Sequence, residues 1–268
     1  MALPRIVATD LDGTLLRRDL TVSDFTRNVL QDLERRGVQV VFVTARPPRW
    51  MTPLAHIAPA HGRAICLNGA CVWDFGAQQA TQVRGFTYDA VAGIVRDLRK
   101  RLPAVTFAAE RVSGAVREAD FAVPSALEHG ILIASVETMR DEPTGKLLAR
   151  SPGMEDDEFF THVSEVVADR ALLAYSGAHG LAEMTAPGVT KAAALERWAT
   201  SHGVSAHEVV AFGDMPNDIP MLRWAGLGVA VANAHQDAQA HADAHTTSND
   251  DDGVARFLAD LYNLPTRG

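Results

Sequence analysis

The stretch Ile6-Val7-Ala8-Thr9-Asp10-Leu11-Asp12-Gly13-Thr14 constrains the fold of this chain more than any other. Its short and β-branched residues predict a buried strand, and strands covered on both faces are typical of parallel sheets. Residues two apart in an extended chain point the same way, so Asp10 and Asp12 are expected to project together from the carboxyl end of the strand. Open α/β sheets bind their ligands at that end.

Two carboxylates held side by side repel each other. At roughly 4 Å and an effective dielectric constant near 20 the repulsion is about 4 kcal/mol, so a proton or a cation must offset it. A bare Asp-x-Asp-Gly is equally consistent with a turn in which the aspartates accept hydrogen bonds from backbone amides. The other segments of the chain have to decide between a turn and a site.

Composition excludes several classes of protein. The chain has 268 residues, 47% hydrophobic and 22% charged, which is typical of a globular protein with one large and one smaller domain. A net charge of -8 argues against nucleic-acid binding. No apolar run approaches the roughly 20 residues that span a bilayer, which argues against membrane insertion. Because there is no signal-type segment and the two cysteines, Cys66 and Cys71, lie in apolar surroundings, we expect buried thiols and a cytoplasmic location.

A βαβ unit follows the first strand. Ser23 is a good helix N-cap, Gly37 ends the helix, and residues 38–43 form a second apolar strand. That strand leads into Thr44-Ala45-Arg46-Pro47, so a hydroxyl and a guanidinium are expected at the same edge of the sheet as Asp10. Thr44 by itself is more often a β-branched strand residue or a helix cap than a ligand.

The next segment predicts a hairpin. Residues 64–67 and 70–73 have strand character and flank Asn68-Gly69, the preferred pair of a two-residue type I′ turn. We therefore interpret Asn68 first as a turn residue and only second as a ligand.

The pattern changes between about Arg84 and about Pro187, which predicts an inserted domain. Two amphipathic helices and several short strands indicate an α+β unit with its helices on one face of a largely antiparallel sheet. The predicted helices are centred on residues 91–98 and 159–167, and the predicted strands cover residues 105–109, 115–117, 131–136, 171–175 and 181–184.

The parallel-sheet pattern resumes at Lys191, which opens a helix before the strand 208–212. This strand ends in Gly213-Asp214-Met215-Pro216-Asn217-Asp218, and a strand over 228–232 and a helix over 253–262 complete the chain. A parallel sheet brings strand ends together, so Asp10, Asp12, Asp214 and Asp218 are predicted to converge. Such an all-oxygen site favours Mg²⁺, with Lys191 as a fixed positive charge beside it, although a solvated lysine at a helix start is the simpler alternative.

These parts suit phosphoryl transfer. Asp10 would attack phosphorus to form an aspartyl-phosphate, which water then hydrolyses. Asp12 would protonate the leaving oxygen and later deprotonate the water. His235, His241 and His245 raise the alternative of a second metal, but solvated side chains in an alanine-rich segment explain them more simply.

The ordered set of motifs resembles the haloacid dehalogenase-like superfamily, and within it the Cof-like small-molecule phosphatases. The resemblance rests on Asp10-Leu11-Asp12-Gly13-Thr14, Thr44-Ala45-Arg46-Pro47, Leu67-Asn68-Gly69-Ala70, Lys191 and Gly213-Asp214-Met215-Pro216-Asn217-Asp218. It implies an α/β fold: a Rossmann-like core with a parallel sheet covered by helices on both faces, and an inserted α+β cap domain. The core would comprise residues 1–82 and 188–268, and the cap residues 83–187.

The resemblance also implies roles for single residues. Asp10 is the nucleophile and a Mg²⁺ ligand, Asp12 is the acid/base residue and binds the metal through its carbonyl, and Asp214 is a further ligand. Asp218 orients Lys191 or metal-bound water from behind the metal ligands. Phosphate would be held by Thr44, Lys191, Asn217 and the backbone of Leu11 and Ala45, and substrate contacts are expected from Arg46 and Asn68.

The sequence thus predicts a Mg²⁺-dependent phosphatase for a small phosphorylated metabolite, a sugar phosphate, phosphorylated cofactor or nucleotide. A phosphomutase of the same superfamily and a non-catalytic regulator that binds a phosphorylated ligand are the alternatives. The sequence leaves the substrate and the oligomeric state open.

Overall fold

Two β-sheets make up the computed structural model, which describes residues 3–58, 62–122, 130–174 and 179–264. The large sheet has eight strands in the order β14-β13-β12-β1-β2-β3-β4-β5. Its strands are β1 (Ile6–Thr9), β2 (Gln39–Val43), β3 (Arg63–Cys66), β4 (Cys71–Asp74), β5 (Gln79–Thr81), β12 (Val209–Gly213), β13 (Leu227–Ala230) and β14 (Ala244–His245). The six strands from β14 to β3 are parallel, whereas β4 and β5 are antiparallel to their neighbours.

The topology indicates where a ligand would bind. Strand β1 pairs with β2 on one side and with β12 on the other, so the chain winds outward from β1 in both directions. In doubly wound sheets the crevice at such a reversal point, beyond the carboxyl ends of the strands, is the ligand site. Asp10 is the first residue after β1.

Helices cover both faces of the large sheet, as predicted. They are α1 (Asp24–Arg35), α4 (Lys191–Ser201), α5 (Ile219–Trp224), α6 (Gln236–Ala240) and α7 (Gly253–Leu261). Ser23 caps α1, because its hydroxyl accepts a hydrogen bond from the N–H of Thr26 at 2.9 Å. Helices α1 and α7 pack together in one apolar cluster with Phe42 and Phe212, and α4 and α5 pack with Ile6 in the other.

The connection between β3 and β4 differs from the prediction. The strands form an antiparallel hairpin, but their last pair is Cys66 with Cys71, so the loop has four residues and not two. Asn68 and Gly69 adopt the expected positive φ angles of 56° and 109°, and Leu67 does so too, at 54°. Tertiary hydrogen bonds explain the longer loop, since the N–H groups of residues 67 and 68 donate to carbonyls of residues 46 and 44. Both cysteines are buried free thiols.

The small sheet has six strands in the order β10-β11-β9-β6-β7-β8, antiparallel except between β7 and β8. Its strands are β6 (Thr106–Glu110), β7 (Ala115–Arg117), β8 (Ile131–Ile133), β9 (Lys146–Arg150), β10 (Leu172–Ala174) and β11 (Ala182–Thr185), and its helices are α2 (Tyr88–Arg101) and α3 (Asp156–Val167). This confirms the predicted α+β unit. The predicted strands 131–136 and 171–175 are shorter than expected, and Tyr175 lies outside the described residues.

Strand β9, at the centre of the small sheet, was missed by the sequence analysis. Its side chains alternate in the manner of a strand with two different faces. Leu147 and Ala149 are fully buried in the cluster that includes α2 and α3, whereas Lys146, Leu148 and Arg150 line a cavity on the opposite face. The face of the sheet that carries Lys146, Leu148 and Arg150 therefore lies toward the large sheet.

None of the helices in the described ranges combines the length and the apolar character needed to cross a membrane.

Candidate active site

Asp10 and Lys191 form the centre of the site. The Nζ of Lys191 donates to Asp10 Oδ1 at 2.8 Å and to Asp218 Oδ1 at 2.7 Å. Lys191 is the first residue of α4, which Thr190 caps through its hydroxyl, and the helix carries its ammonium under the end of β1. Burial alone lowers the pKa of this lysine, but the charges of Asp10 and Asp218 outweigh burial and raise it above its ordinary value. The lysine is therefore a fixed positive charge and not a solvated residue.

Asp214 completes a cluster of three carboxylates. In the described part of the chain, Asp10, Asp214 and Asp218 each offer an oxygen within 4.8 Å of the others. The hydroxyl of Thr14 donates to Asp214 Oδ1 at 2.8 Å. Gly13 permits this approach: its φ is +76°, and a Cβ at this position would lie 2.4 Å from Asp214 Oδ2.

Asp218 is fully buried and accepts hydrogen bonds both from Lys191 and from the turn that carries Asp214. One carboxylate oxygen accepts from Lys191, and the other accepts from the backbone N–H groups of Asp214 at 3.1 Å and Met215 at 3.0 Å. Asp218 thereby holds the turn that carries Asp214.

The charges in this cluster do not balance. Three carboxylates surround one ammonium, which leaves two negative charges uncompensated in a buried site if all three are ionised. Burial raises the pKa of Asp10 well above its ordinary value; Lys191 opposes this shift, and Asp218 and Asp214 add to it. Burial and the charge of Asp218 raise the pKa of Asp214 to about 6, against the hydrogen bond from Thr14. An all-oxygen donor set with this excess charge fits a divalent cation such as Mg²⁺.

The side chain of Asp12 does not join the cluster, contrary to the expectation of four converging aspartates. The chain leaves the extended conformation after Thr9, so the two-residue periodicity that would align Asp12 with Asp10 no longer applies. The Asp12 carboxylate is half exposed and accepts two hydrogen bonds from Arg46, from Nε at 2.7 Å and from Nη2 at 2.5 Å.

Of the residues expected to hold phosphate, Thr44 is buried and is not part of the lining of the cavity that contains Asp10. The hydroxyl of Thr44 accepts the backbone N–H of Arg46 at 3.1 Å, which leaves its own proton for another acceptor. Asn217 and Ala45 line the same cavity as Asp10. The side chain of Leu11 is fully buried, so this residue can contribute only its backbone. Asn68 does not line that cavity: it lies behind Asn217, whose amide donates to Asn68 Oδ1 at 3.4 Å.

A cavity of about 360 Å³ opens above the carboxylates, between the large and small sheets. The large sheet and its loops contribute Asp10, Asp12, Ala45, Arg46, Pro47, Arg49, Trp50, Lys191, Met215 and Asn217 to its lining. The small sheet and its connections contribute Glu110, Phe121, Ala122, Ile131, Lys146, Leu148, Arg150, Leu181 and Glu183.

Sequence reasoning missed the charged residues that join the two sheets across this cavity. Lys146 donates to Glu183 Oε2 at 2.8 Å and to the carbonyl of Ala45 at 3.0 Å. Arg49 forms a two-pronged pair with Glu110, one bond of which is 2.8 Å. No alternation in the sequence marks Lys146, because Leu147, Leu148 and Ala149 follow it as an unbroken apolar run.

Comparisons with known proteins show which family this chain resembles. A family model described as haloacid dehalogenase-like hydrolase matches residues 7–258. The 5-amino-6-(5-phospho-D-ribitylamino)uracil phosphatase YcsE of Bacillus subtilis (strain 168) is 30% identical over 95% of this chain and 94% of its own length. The pyridoxal phosphate phosphatase YbhA of Escherichia coli (strain K12) is 25% identical over 95% of this chain and 97% of its own.

A solved structure shows the same fold. A haloacid dehalogenase-like hydrolase from Bacteroides thetaiotaomicron superposes with a TM-score of 0.81 at 22% identity and covers 96% of this chain and 99% of its own. The chain therefore belongs to the haloacid dehalogenase-like hydrolase family, as its motifs predicted, and its place in that family is among the phosphatases.

Proposed function

We propose that this enzyme is a Mg²⁺-dependent phosphatase that hydrolyses a small phosphorylated metabolite through an aspartyl-phosphate on Asp10. The observation that carries the proposal is the buried cluster of three carboxylates around Lys191, placed at the reversal point of the large sheet and open to a ligand-sized cavity. A protein that only binds phosphate has no use for excess negative charge at that point.

Asp10 is the nucleophile in the first step. Its carboxylate forms a bond to phosphorus as the ester P–O bond breaks, and Lys191 fixes its orientation through the 2.8 Å hydrogen bond. Thr44, Asn217 and the backbone of Leu11 and Ala45 hold the phosphate oxygens. Donors positioned in this way stabilise the charge that develops in the transition state.

The metal would be held by Asp10, Asp214 and the carbonyl of Asp12, with Asp218 behind them. When bound, Mg²⁺ supplies positive charge to the phosphate oxygens and allows the acidic side chains to remain ionised together.

Asp12 moves the protons. It donates one to the leaving oxygen, then takes one from the water that attacks the phosphorus of the aspartyl-phosphate, which releases phosphate and restores Asp10. In the structure the Asp12 carboxylate accepts two hydrogen bonds from Arg46. We infer that the phosphate dianion competes for Arg46, so that substrate binding frees Asp12 to act.

Residues 83–187 would form a cap domain on a core of residues 1–82 and 188–268. The small sheet lies within the first range, and its face that carries Lys146, Leu148 and Arg150 closes the cavity. The leaving group would lie in this cavity, whose volume is near the lower end of the range for ligand pockets. Trp50, Phe121 and Leu148 supply apolar surface there.

The cavity and the relatives together support a substrate class. Two relatives are named for compounds that carry both a phosphate and a nitrogen heterocycle, and an aromatic lining suits such a ring. We propose a phosphorylated cofactor, nucleotide or sugar phosphate as substrate and the cytoplasm as the location.

A phosphate-release assay over a panel of these compounds, with Mg²⁺, tests the proposal. The matched control is Asp10→Asn, which keeps the shape of the side chain and removes the nucleophile. We expect release by the wild type and none by the variant. Equal rates for both would refute the assignment, and phosphoryl transfer between sugar phosphates without net release would establish a mutase instead.

A further inference from the structure

A second buried lysine lies above the site and has no part in the chemistry described so far. Lys146, the first residue of β9, is only 6% exposed. Its ammonium donates to Glu183 Oε2 on the neighbouring strand β11 at 2.8 Å and to the backbone carbonyl of Ala45 at 3.0 Å. The second bond links the small sheet to the segment Thr44–Arg46, which follows β2 in the large sheet.

The partners of this lysine fix its position. An unpaired buried ammonium is strongly unfavourable, so Glu183, itself 5% exposed, compensates its charge. Strands β9 and β11 are hydrogen-bonded neighbours, with Leu148 opposite Glu183. The pair is therefore part of a rigid sheet and not of a mobile surface.

The carbonyl that Lys146 contacts belongs to a peptide unit that is held at both of its polar groups. The carbonyl of Ala45 accepts from Lys146, and the N–H of the same peptide unit, which belongs to Arg46, donates to the Thr44 hydroxyl at 3.1 Å. Because that hydroxyl accepts from the backbone, its own proton points elsewhere. Lys146 thus acts on the orientation of Thr44 through a single peptide plane.

We propose that Lys146 is a positioning residue for phosphate binding: by docking the small sheet onto the carbonyl of Ala45, it fixes the peptide unit that orients Thr44. The inference rests on the proposed function, because it assigns Thr44 to phosphate. Because of this contact, the phosphate site is complete only when the small sheet is seated on the large one.

The ion pair between Arg49 and Glu110 does not fix the backbone of residues 44–46. It also joins the two sheets, but through side chains alone, and it touches no peptide group between residues 44 and 46. Lys146 is distinguished by its contact with the backbone of the phosphate segment.

The test compares Lys146→Met with Lys146→Arg, which keeps a cationic donor, and with Arg170→Met, which removes an exposed ion pair to Asp97 on the far side of the small sheet's helices. For each variant, kcat and KM are measured on two phosphate esters with different leaving groups, together with inhibition by inorganic phosphate. A charged hydrogen bond is lost in Lys146→Met, so we expect roughly tenfold to hundredfold weaker inhibition by phosphate and a matching rise in KM for both esters. Lys146→Arg should recover much of this loss, and Arg170→Met should match the wild type.

The double variant Lys146→Met/Glu183→Gln removes both charges together and provides a folded protein if the single variant is unstable. Hydrogen exchange of the peptide covering residues 44–50 gives a readout that does not need turnover. It should become faster in the Lys146→Met protein and in the double variant, and remain unchanged in Arg170→Met.

Three results would overturn the inference. A KM effect on one ester only would make Lys146 a leaving-group contact, and a lower Tm with unchanged phosphate inhibition would make it a structural residue. Unchanged exchange over residues 44–50 would exclude positioning in any case. A wild type that releases no phosphate from any compound refutes the proposed function instead, and the exchange experiment then still decides the role of Lys146.

Discussion

Two buried lysines, Lys191 at the large sheet and Lys146 in the small sheet, differ in whether the charges around them balance. Lys191, below the large sheet's central strand, faces Asp10 and Asp218 with Asp214 close by. Lys146, the first residue of the small sheet's central strand, donates to one carboxylate and to a neutral carbonyl. The first cluster carries an excess of negative charge, and the second carries none.

This difference distinguishes the proposed catalytic cluster around Lys191 from the proposed positioning contact of Lys146. An imbalance of charge in a buried site costs stability, and it persists in a folded protein where a ligand or a metal will neutralise it. A balanced pair needs nothing further and serves to fix geometry. The four predictions below test this contrast, beginning with the largest expected effect.

The largest effect is expected from Asp10→Asn. An amide cannot form the aspartyl-phosphate, which is an acyl phosphate, so phosphate release should fall by at least about a thousandfold. Because the substitution also removes a negative charge from an overcrowded cluster, Tm without metal should stay level or rise. Loss of activity together with unfolding would leave the nucleophile unassigned, so circular dichroism accompanies the assay.

Substitution of Lys191 by Met should lower kcat by roughly a hundredfold to a thousandfold, the range for loss of one charged group that stabilises the transition state. It also removes the cation between Asp10 and Asp218. Tm at pH 7.5 should therefore fall, and it should fall more than in the charge-balanced double variant Lys146→Met/Glu183→Gln. Equal losses of Tm in the two proteins would contradict the proposed contrast.

Removal of metal tests the excess charge directly. EDTA should stop turnover and Mg²⁺ should restore it. Mg²⁺ at a hundred times its Kd should add about 2.7 kcal/mol of stability. The measurement is Tm with and without Mg²⁺, and Asp214→Asn should abolish the increase. Hydrolysis that persists in EDTA would remove the metal from the mechanism.

The smallest effect concerns pH. The pKa of Asp214 is raised to about 6, from an ordinary value of 3.8, so between these values the folded protein binds more protons than the unfolded chain. Without metal, this group makes the protein less stable as the pH rises from 4 toward 6, and the penalty is complete above pH 6. Relative to Asp214→Asn, the metal-free wild type should therefore lose Tm between pH 5 and pH 7.5. Saturating Mg²⁺ should reverse the trend, because it favours the ionised carboxylates.

Much of the large sheet and of its site could be predicted because the information is local. An apolar run that ends in Asp10, and another that ends in Asp214, place both carboxylates at strand ends whatever the cap looks like. The polarity of a parallel sheet then brings these ends to one edge. Local sequence was not enough to predict the role of Lys191, since only the order of motifs in the family distinguished it from a solvated lysine at a helix start.

The misses have physical causes in long-range contacts. Asp12 lies outside the carboxylate cluster because the strand ends at Thr9, and its carboxylate accepts hydrogen bonds from Arg46, which is 34 residues away in the sequence. The hairpin loop lengthened because residues 67 and 68 bond to carbonyls of the neighbouring strand's end.

The sequence by itself determined the family, the α/β core and the residues at its strand ends, since each depends on short apolar runs and ordered motifs. Only the tertiary structure decided that Lys146, Glu183 and the carbonyl of Ala45 meet. Lys146 and Glu183 lie on separate strands far apart in the sequence, and the contact with the Ala45 carbonyl exists only because the small sheet is seated on the large one, so neither contact can be inferred from spacing along the chain.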